Sequence, residues 1–398
     1  MSLLMSTLSK ALWILIESAL DENIFQRRDE TLWKSLNFAH SADRRMSVDQ
    51  RQEQAEAGHM KVNLKTLSES LGLSQTTVSR ALNGYSEVSE RTRQRVMEAA
   101  ERLGYQPNSQ ARQLATGRTD TIGIVFPFSV STIGDIRFGE VVSGITERLA
   151  EHNLDLLIHS ARPDAELETY RRLIDSRRVD ALIVTRTRVD DPRIGLLQER
   201  NYPFVAYGRT QSRIPYAWFD FDNETGGRLA AERLLALGHR RIALVHAPLE
   251  MNFAMQRHAG FVAALCAAGI EPDPELIVEA PADRTGGYQA VRKLLAMQQP
   301  PTALLVDNNA IGALRALGDC GWKPGSGLSL IVYDSIPFEI PLTYKVTSVM
   351  QPTGESTGQA LADLVVDVLA GKPLDQLHQL KVPYIDPGET DGPPIVFG

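Results

Sequence analysis

The chain has 398 residues, of which 43% are hydrophobic and 23% charged, and this composition excludes a largely disordered protein. At roughly 100–200 residues per domain, the length predicts two or three domains. No apolar run approaches the roughly 18 residues of a membrane-spanning helix, and the chain opens with no convincing secretory signal. We therefore expect a cytoplasmic protein with no membrane partner. Cys266 and Cys320 lack metal-ligand spacing and are predicted to be reduced thiols.

The net charge of −7 is distributed unevenly along the chain. Residues 1–59 carry 7 basic and 9 acidic side chains, residues 60–118 carry 9 and 5, and residues 119–398 carry 26 and 35. A small basic segment beside a large acidic body predicts a local module that binds a polyanion.

The first 59 residues differ from the rest. Thr7 to Leu20 has an amphipathic helical pattern, whereas Ser41 to His59 is polar and rich in Gln, Glu and Arg. Much stronger patterning begins at Met60. Two interpretations stand: an upstream stretch that precedes the true start of translation, or an appendage of unknown role.

Three short helices are predicted next. Asn63 and Ser74 are suitable N-caps for the first two, and the second helix runs through Asn83. The third begins at Ser89 and stops at Gly104. The first two helices are joined by a short turn that contains glycine, and this arrangement describes a helix-turn-helix module.

The second of these helices has a polar face. In a helix-turn-helix, the first residues of the second helix face base edges in the major groove. Ser74 to Arg80 supplies Gln, Thr, Ser and Arg side chains that can hydrogen-bond bases or phosphates, while Val78, Ala81 and Leu82 form a buried face. A solvated helix in an ordinary bundle has the same pattern, so the motif alone leaves both interpretations open.

A fourth helical candidate, Ser109 to Ala115, lies between Pro107-Asn108 and Gly117. Seven or eight residues are too few for a stable isolated helix. We therefore expect this segment to be coil unless something packs on it.

Strands and helices alternate beyond Thr119. The predicted strands are Thr121–Phe126, Leu154–Ile158, Ala181–Val184, Phe204–Tyr207, Arg241–Val245, Leu276–Val278, Ala303–Val306 and Leu328–Val332. The predicted helices are 138–151, 165–177, 225–237, 255–268, 285–297 and 309–320, with one more within 351–371. The segment from Pro383 to Gly398 is predicted to be a strand followed by a loose end. This α/β alternation predicts parallel sheets covered on both faces by helices. Two linked lobes with a cleft fit it better than the alternative, one sheet of eight strands.

No enzyme signature is present. The chain lacks a P-loop, a Gly-x-Gly-x-x-Gly that opens a helix, a nucleophile elbow and any His/Cys metal spacing. His239, before a predicted strand, is interpreted as a helix C-terminal cap rather than a catalytic base. We expect a protein that is not an enzyme and carries no cofactor or metal.

Several ordered motifs resemble the LacI/GalR family of bacterial transcriptional regulators. They run from Leu64-Lys-Thr-Leu through Thr77-Val-Ser-Arg-Ala-Leu-Asn-Gly84 to Ala111-Arg-Gln-Leu-Ala115, and continue in Leu237-Gly-His-Arg-Arg, Arg257-His-Ala-Gly-Phe261 and Val332-Tyr-Asp334. The resemblance covers about residues 60–385.

The resemblance implies a division of the chain. A helix-turn-helix domain would span 60–106, and a hinge helix with its linker 107–118. A two-lobed effector-binding and dimerisation domain, like the periplasmic binding proteins, would span 119–385. We place its lobe boundary near 221, because the helix-strand rhythm restarts near Phe221 after the irregular stretch Gln211–Ala217, and we expect the chain to cross back near 345. The remaining segments are the extension 1–59 and a loose tail, 386–398.

The same resemblance implies DNA contacts. Three residues fall where family members read bases in the major groove: Gln75, Thr76 and Arg80. Three match positions that grip phosphates: Thr77, Ser79 and Asn83. The segment 109–115 matches the hinge helix that folds on DNA, with Leu114 as the leucine that intercalates in the minor groove and Ala111 facing that groove.

The resemblance also implies an effector site. Arg257 and Asp334 match residues that hydrogen-bond sugar hydroxyls in family members, and Asn308 lies at a corresponding strand end. Further candidates are Arg209, Asp222, and the aromatic rings of Phe126 and Phe128, which would stack on a sugar. For each residue the alternative is a structural salt bridge, a helix cap or a core aromatic.

The sequence is therefore interpreted as a homodimeric repressor of carbohydrate uptake or catabolism genes. It would bind a pseudo-palindromic double-stranded DNA operator under the control of a small sugar. Tyr207–Thr210 and Ala217–Glu224 are weakly similar to the α-glucoside regulators of the family. The sign of control, inducer or corepressor, stays open, and a missing leucine heptad favours a dimer over a tetramer. The alternative is a sugar-binding receptor without DNA function.

Overall fold

The computed structural model describes residues 62–82, 84–105, 117–126, 136–281, 284–307, 310–337, 340–352 and 354–394. The chain divides into two units, Met1–Asn108 and Ser109–Gly398. The predictions for residues 1–59 and for the helix at 109–115 lie outside the described residues.

The described part of the first unit contains three helices: α1 (Leu64–Leu71), α2 (Gln75–Leu82) and α3 (Glu90–Leu103). Each begins at a side-chain cap, because Asn63, Ser74 and Ser89 accept hydrogen bonds from backbone N–H groups three residues later. The three helices share one small apolar core, formed by Leu67, Val78, Ala81, Val88, Val96, Ala99 and Ala100. The helix-turn-helix fold predicted for this segment is therefore confirmed.

The second unit is built on two sheets. The elements of the first half are β1 (Thr121–Phe126), α4 (Ile136–Glu151), β2 (Asp155–Ser160), α5 (Glu166–Asp175), β3 (Ala181–Val184), α6 (Pro192–Glu199), β4 (Phe204–Tyr207), β5 (Ala217–Phe221) and α7 (Asn223–Ala236). The elements of the second half are β6 (Ile242–His246), α8 (Asn252–Ala267), β7 (Ile277–Glu279), α9 (Arg284–Leu295), β8 (Ala303–Val306), α10 (Ala310–Asp319), β9 (Ser329–Tyr333), β10 (Thr347–Met350), α11 (Glu355–Leu369), β11 (His378–Lys381) and β12 (Tyr384–Asp386). Short 3₁₀ helices occupy Pro163–Ala165, Pro274–Leu276 and Leu374–Gln376.

Each lobe contains one six-stranded sheet. The first sheet has the order β11-β5-β4-β3-β1-β2 and is parallel throughout. The second has the order β12-β10-β9-β8-β6-β7, and only β12 runs antiparallel to its neighbour. Buried residues cluster on both faces of both sheets. The predicted two-lobed parallel α/β fold is confirmed, and the alternative of one eight-stranded sheet is wrong.

The chain passes between the lobes three times. The first crossover joins β5 to α7 at Asp222, the second joins β10 to α11, and the third joins β11 to β12. The second crossover lies between Met350 and Glu355, later than the predicted return near 345, because β10 still belongs to the second sheet. Among the described residues, no helix is long and apolar enough to cross a bilayer.

Four elements were missed by the sequence patterns. Strands β5, β10 and β11 are four or five residues long, and each includes polar residues that weaken the apolar signal. In β5 the buried Asp220 is held by the Arg209 guanidinium. Helix α6 has no marked apolar stripe and depends on its Asp191 cap.

The prediction of a loose tail is wrong for residues 388–392. Residues 388–392 lie against the second sheet, where the Leu330 N–H donates to the Thr390 carbonyl at 2.7 Å and Thr390 Oγ1 donates to the Leu330 carbonyl at 2.8 Å. The capping role expected for His239 is also wrong. Its buried ring bonds Thr302 Oγ1, Ser329 Oγ and the Gly392 carbonyl, each within 2.9 Å, and so anchors this tail.

The first lobe contains a buried ion cluster. The Arg193 guanidinium, 3% exposed, bonds Asp191 Oδ1 and Oδ2 at 2.9 and 2.7 Å and Glu166 Oε1 at 2.5 Å. Burial acts to raise the pKa of Asp191, but its hydrogen bonds to Arg193 outweigh burial and hold the pKa below the ordinary 3.8. The cluster ties the start of α6 to the start of α5.

We expect Asp191→Ala to lower the free energy of unfolding by about 3–5 kcal/mol, because it leaves Glu166 as the one buried carboxylate that pairs with Arg193. The matched control is Asp175→Ala, which removes an exposed ion pair with Arg200 and should cost about 1 kcal/mol or less. Urea unfolding of the two variants measures the difference. The stabilisation that ionised Asp191 contributes is complete above pH 3.8 and is lost as the pH falls through its lowered pKa. The difference in unfolding free energy between the two variants should therefore narrow in acid. Equal losses at pH 7 would contradict the role of the cluster.

Candidate functional site

The surface of α2 has the form of a recognition helix. Gln75, Thr76 and Arg80 are exposed, whereas Val78 and Ala81 are buried in the core of the unit. Helical spacing therefore puts the predicted base-reading residues on one face. This face offers an amide, a hydroxyl and a guanidinium, the groups that pair with base edges and phosphates.

The two ends of α2 are fixed differently. At the start, the Ser74 hydroxyl accepts from the Thr77 N–H at 3.0 Å and shares a 2.8 Å hydrogen bond with the Thr77 hydroxyl. Thr77 is therefore partly engaged in capping, and Ser79 is half-buried. After the helix, the Arg93 guanidinium donates to the Tyr85 carbonyl at 3.1 Å and fixes the turn. The predicted DNA contacts Asn83, Ala111 and Leu114 lie outside the described residues.

The second group of predicted residues is distributed around the carboxyl ends of the strands. Arg209 follows β4, Asp222 follows β5, and Asp334 follows β9 directly. Arg257 lies on α8. Because the carboxyl ends of parallel strands share one edge, these residues lie where open α/β sheets bind ligands. Asn308 and Phe128 lie outside the described residues.

Arg257 is the centre of a buried polar cluster. Its side chain is 7% exposed; Nε donates to Asn223 Oδ1 at 2.9 Å, and a terminal nitrogen donates to Asp307 Oδ1. The guanidinium carbon lies 3.4 Å from the centre of the Tyr333 ring and 4.9 Å from that of Phe253. Burial acts to lower the pKa of Arg257, but Asp307, Tyr333 and Asp334 together outweigh burial and raise it, so the cation is retained.

The cluster continues from the second lobe into the first. Asn223 Nδ2 donates to Asp220 Oδ1 at 3.3 Å, and Asp220 Oδ2 accepts from Arg209 Nε at 2.7 Å. Burial raises the pKa of Asp220 even though the Arg209 guanidinium opposes that rise. Gln351 Nε2, in the second crossover, donates to Asn223 Oδ1 at 3.1 Å. A chain of hydrogen bonds therefore connects Arg209 of one lobe with Arg257 of the other.

Glycines allow this arrangement. Helices α7 and α8 cross so closely that a Cβ at Gly227 would overlap the Arg257 carbonyl, and one at Gly260 would overlap the Glu224 carbonyl. A Cβ at Gly226 would overlap the Tyr333 hydroxyl. Any larger residue would push α7 away from α8 and separate Asn223 from Arg257.

A second contact joins the lobes by backbone alone. The Val189 N–H donates to the Glu250 carbonyl and the Asn252 N–H donates to the Thr187 carbonyl, both at 2.9 Å. These bonds form an antiparallel bridge between Arg188 and Met251. The loops after β3 and β6 are thus held together.

Three predicted effector residues make contacts within the protein itself. Asp222 caps α7, because its side chain accepts from the Thr225 N–H at 3.1 Å. Phe126 is 3% exposed and stacks on Phe138 with ring centres 3.8 Å apart. Asp334 has a left-handed φ of +61°, and its N–H donates to the Val349 carbonyl at 2.8 Å.

Four residues of the cluster were missed by sequence reasoning: Asp220, Asn223, Asp307 and Gln351. A usable signal existed for two of them, since Asp307 and Gln351 directly follow the strands β8 and β10. Asp307 adjoins the predicted Asn308. Within the described ranges, no His, Cys, Asp and Glu side chains are grouped so that they could hold a metal ion.

Two family profiles match the chain. Residues 65–108 match the bacterial regulatory proteins of the LacI family. Residues 119–385, more than half of the chain, match the periplasmic binding proteins and sugar-binding domain of the LacI family. The first match covers the helix-turn-helix and therefore does not favour a receptor without DNA function.

Individual proteins are similar over most of the chain. The HTH-type transcriptional regulator RafR of Escherichia coli is 40% identical over 334 residues, which cover 83% of this chain and 98% of RafR. The Lac repressor dimer bound to operator and the anti-inducer ONPF is 28% identical with a TM-score of 0.71, and covers 83% of this chain and 99% of its own. A complex of the regulator CelR with cellobiose is 28% identical with a TM-score of 0.63, covering 83% and 100%. This chain belongs to the LacI family of bacterial regulatory proteins.

Proposed function

We propose that this regulator binds a pseudo-palindromic operator as a homodimer in the cytoplasm and represses genes of carbohydrate uptake or catabolism. Its affinity for the operator changes when a small sugar binds between the lobes. Two-fold symmetry of the protein would match two operator half-sites. The operator-bound Lac repressor dimer and the cellobiose complex of CelR support DNA and a sugar as ligands of this kind of chain.

The observation that carries the proposal is the polar face of α2. Gln75, Thr76 and Arg80 are exposed on a helix whose other face is buried, in a segment with excess basic charge. We assign base reading to these three residues. We assign phosphate contacts to Thr77, Ser79 and Asn83, and minor-groove contacts to Ala111 and Leu114.

The effector site is proposed around Arg257 at the edges of both sheets. Its guanidinium offers donors that suit sugar hydroxyls, and Asp334 and Asn308 follow neighbouring strands of the same lobe. Arg209 belongs to the facing edge of the other lobe. We rank Asp222 and Phe126 below these residues as sugar contacts, because Asp222 caps α7 and Phe126 is packed on Phe138. Phe128 is kept as a further candidate.

Sugar control requires two arrangements of the lobes with different operator affinities. The backbone bridge between Arg188 and Met251 and the hydrogen-bond chain through Asn223 both join the lobes. A sugar that bonds Arg257 would compete with Asn223 and Asp307 for its donors and shift the lobes. The effect of the sugar on the operator and that of the operator on the sugar must then be equal in size.

Arg80→Ala is expected to weaken binding to DNA from the region upstream of its own gene by about 1–3 kcal/mol, because a bidentate base contact would be lost. Fluorescence anisotropy measures the dissociation constants on this DNA and on a random duplex of equal length. The control is Arg102→Ala, which removes an exposed arginine from the last turn of α3. An equal loss on both duplexes would assign Arg80 to phosphate instead of base contact.

Arg257→Met is expected to abolish the response to sugar while operator binding persists, because the donors for sugar hydroxyls are gone. The same anisotropy assay is repeated with cellobiose, maltose, melibiose, sucrose and raffinose. Since Arg257→Met leaves Asp307 buried and unpaired, Arg257→Met combined with Asp307→Asn should recover thermal stability but not the response. A response retained by the double variant would move the sugar site elsewhere.

A further inference from the structure

The side chain of Asn223 lies where the two lobes and two of the crossovers meet. It is the first residue of α7, directly after the first crossover, and is 2% exposed. Its amide donates to Asp220 Oδ1 at 3.3 Å and to the Phe221 carbonyl at 3.1 Å, both in the first lobe. Its oxygen accepts from Arg257 at 2.9 Å and from Gln351 at 3.1 Å.

These four bonds use the full capacity of the side chain. A primary amide has two N–H donors and two acceptor lone pairs. In Asn223 the donors serve the first lobe, and the acceptors serve Arg257 of the second lobe and Gln351 of the second crossover. No other natural side chain of this size has donors on one side and an acceptor on the other, so the position selects asparagine.

Packing leaves Asn223 little freedom to move without Arg257. The close crossing at Gly227 and Gly260 holds the start of α7 against α8. If Asp220 moves with the first lobe, the Asn223 amide that bonds it therefore passes this movement on to the Arg257 guanidinium. In the opposite direction, a ligand that draws Arg257 away removes one of the two donors to the Asn223 oxygen.

We propose that Asn223 is the positioning residue that orients Arg257 and couples its position to the first lobe. This proposal rests on the proposed sugar control, and it assigns to one side chain the link between the sugar site and the lobe arrangement. The two halves of the amide have separate duties. The oxygen orients Arg257, and the N–H groups transmit the position of the first lobe.

Two substitutions separate these duties. Asn223→Ala removes all four bonds. Asn223→Asp retains the acceptor for Arg257 and Gln351, but it replaces the donors with an oxygen that faces the Asp220 carboxylate and the Phe221 carbonyl. Ser329→Ala is the matched control, because Ser329 is a buried polar residue of the second lobe whose bonds go to His239 and Gly392 instead.

The first measurement is the affinity of each full-length variant for cellobiose, maltose, melibiose, sucrose and raffinose. It is made once with the free protein and once with the protein bound to the upstream DNA. We expect Asn223→Ala to weaken binding of the responsive sugar by about tenfold or more, since hydrogen bonds to charged groups are of that strength. The dissociation constant of Asn223→Asp for this sugar should lie within about threefold of that of the wild-type protein. The operator affinity of this variant, however, should no longer respond to the sugar. Ser329→Ala should keep both properties.

The second measurement is hydrogen exchange by mass spectrometry without any sugar. In both Asn223 variants the backbone amides of residues 217–222 should exchange faster than in the wild-type protein. Only in Asn223→Ala should the amides of residues 350–355 also exchange faster. Ser329→Ala should affect residues 388–392 instead. If no sugar of the panel binds the unchanged chain, the sugar assignment fails, and exchange alone decides the role of Asn223. The proposal is overturned if the operator affinity of Asn223→Asp still responds fully to the sugar. It is also overturned if the exchange rates of the Asn223 variants near both crossovers equal those of Ser329→Ala.

Discussion

The buried guanidinium of Arg257 is the constraint on which the centre of the second unit depends. A cation that is withdrawn from water must be paired and hydrogen-bonded, or its desolvation would destabilise the fold by several kcal/mol. Asp307 neutralises it, Asn223 accepts from its Nε, and the Tyr333 ring covers its face. These partners come from separate elements, so the charge fixes the relative position of α7, α8, β8 and β9.

The backbone accommodates this charge through glycine. The crossing of α7 and α8 brings carbonyl oxygens to positions that a Cβ at Gly227 or Gly260 would occupy. The helices therefore meet main chain to main chain, a distance at which a short amide such as Asn223 can reach an arginine. The glycines that would weaken α7 as an isolated helix are the reason that the polar cluster closes.

The larger features of the fold followed from sequence patterns because they depend on repeated local signals. The caps Asn63, Ser74 and Ser89 mark the helix starts of the first unit, and apolar runs mark the inner strands of both sheets. Strands such as β11 gave no such signal, since an edge strand can be polar. The tail at 388–392 was missed because its bonds join residues about sixty positions apart.

The two candidate sites were predictable to different degrees for the same reason. The exposed face of α2 is a local property of eight residues, so a pattern with the right spacing finds it. The cluster around Arg257 is assembled from Asn223, Asp307 and Gln351, which are far apart in sequence. Family resemblance identified Arg257 itself, but only the three-dimensional structure shows which side chains satisfy it.

The energies involved make one side chain sufficient for the coupling. Allosteric coupling between two ligands typically amounts to about 1–3 kcal/mol. A hydrogen bond to a charged group contributes about 1.5–3 kcal/mol, so the bond between Asn223 and Arg257 alone covers this range. The backbone bridge at Arg188 and Met251 would resist lobe movement in the presence or absence of a sugar, because neither residue uses a side chain in it. Only a contact that the ligand itself disturbs can carry a signal, and for the sugar site that we propose this is the contact between Arg257 and Asn223.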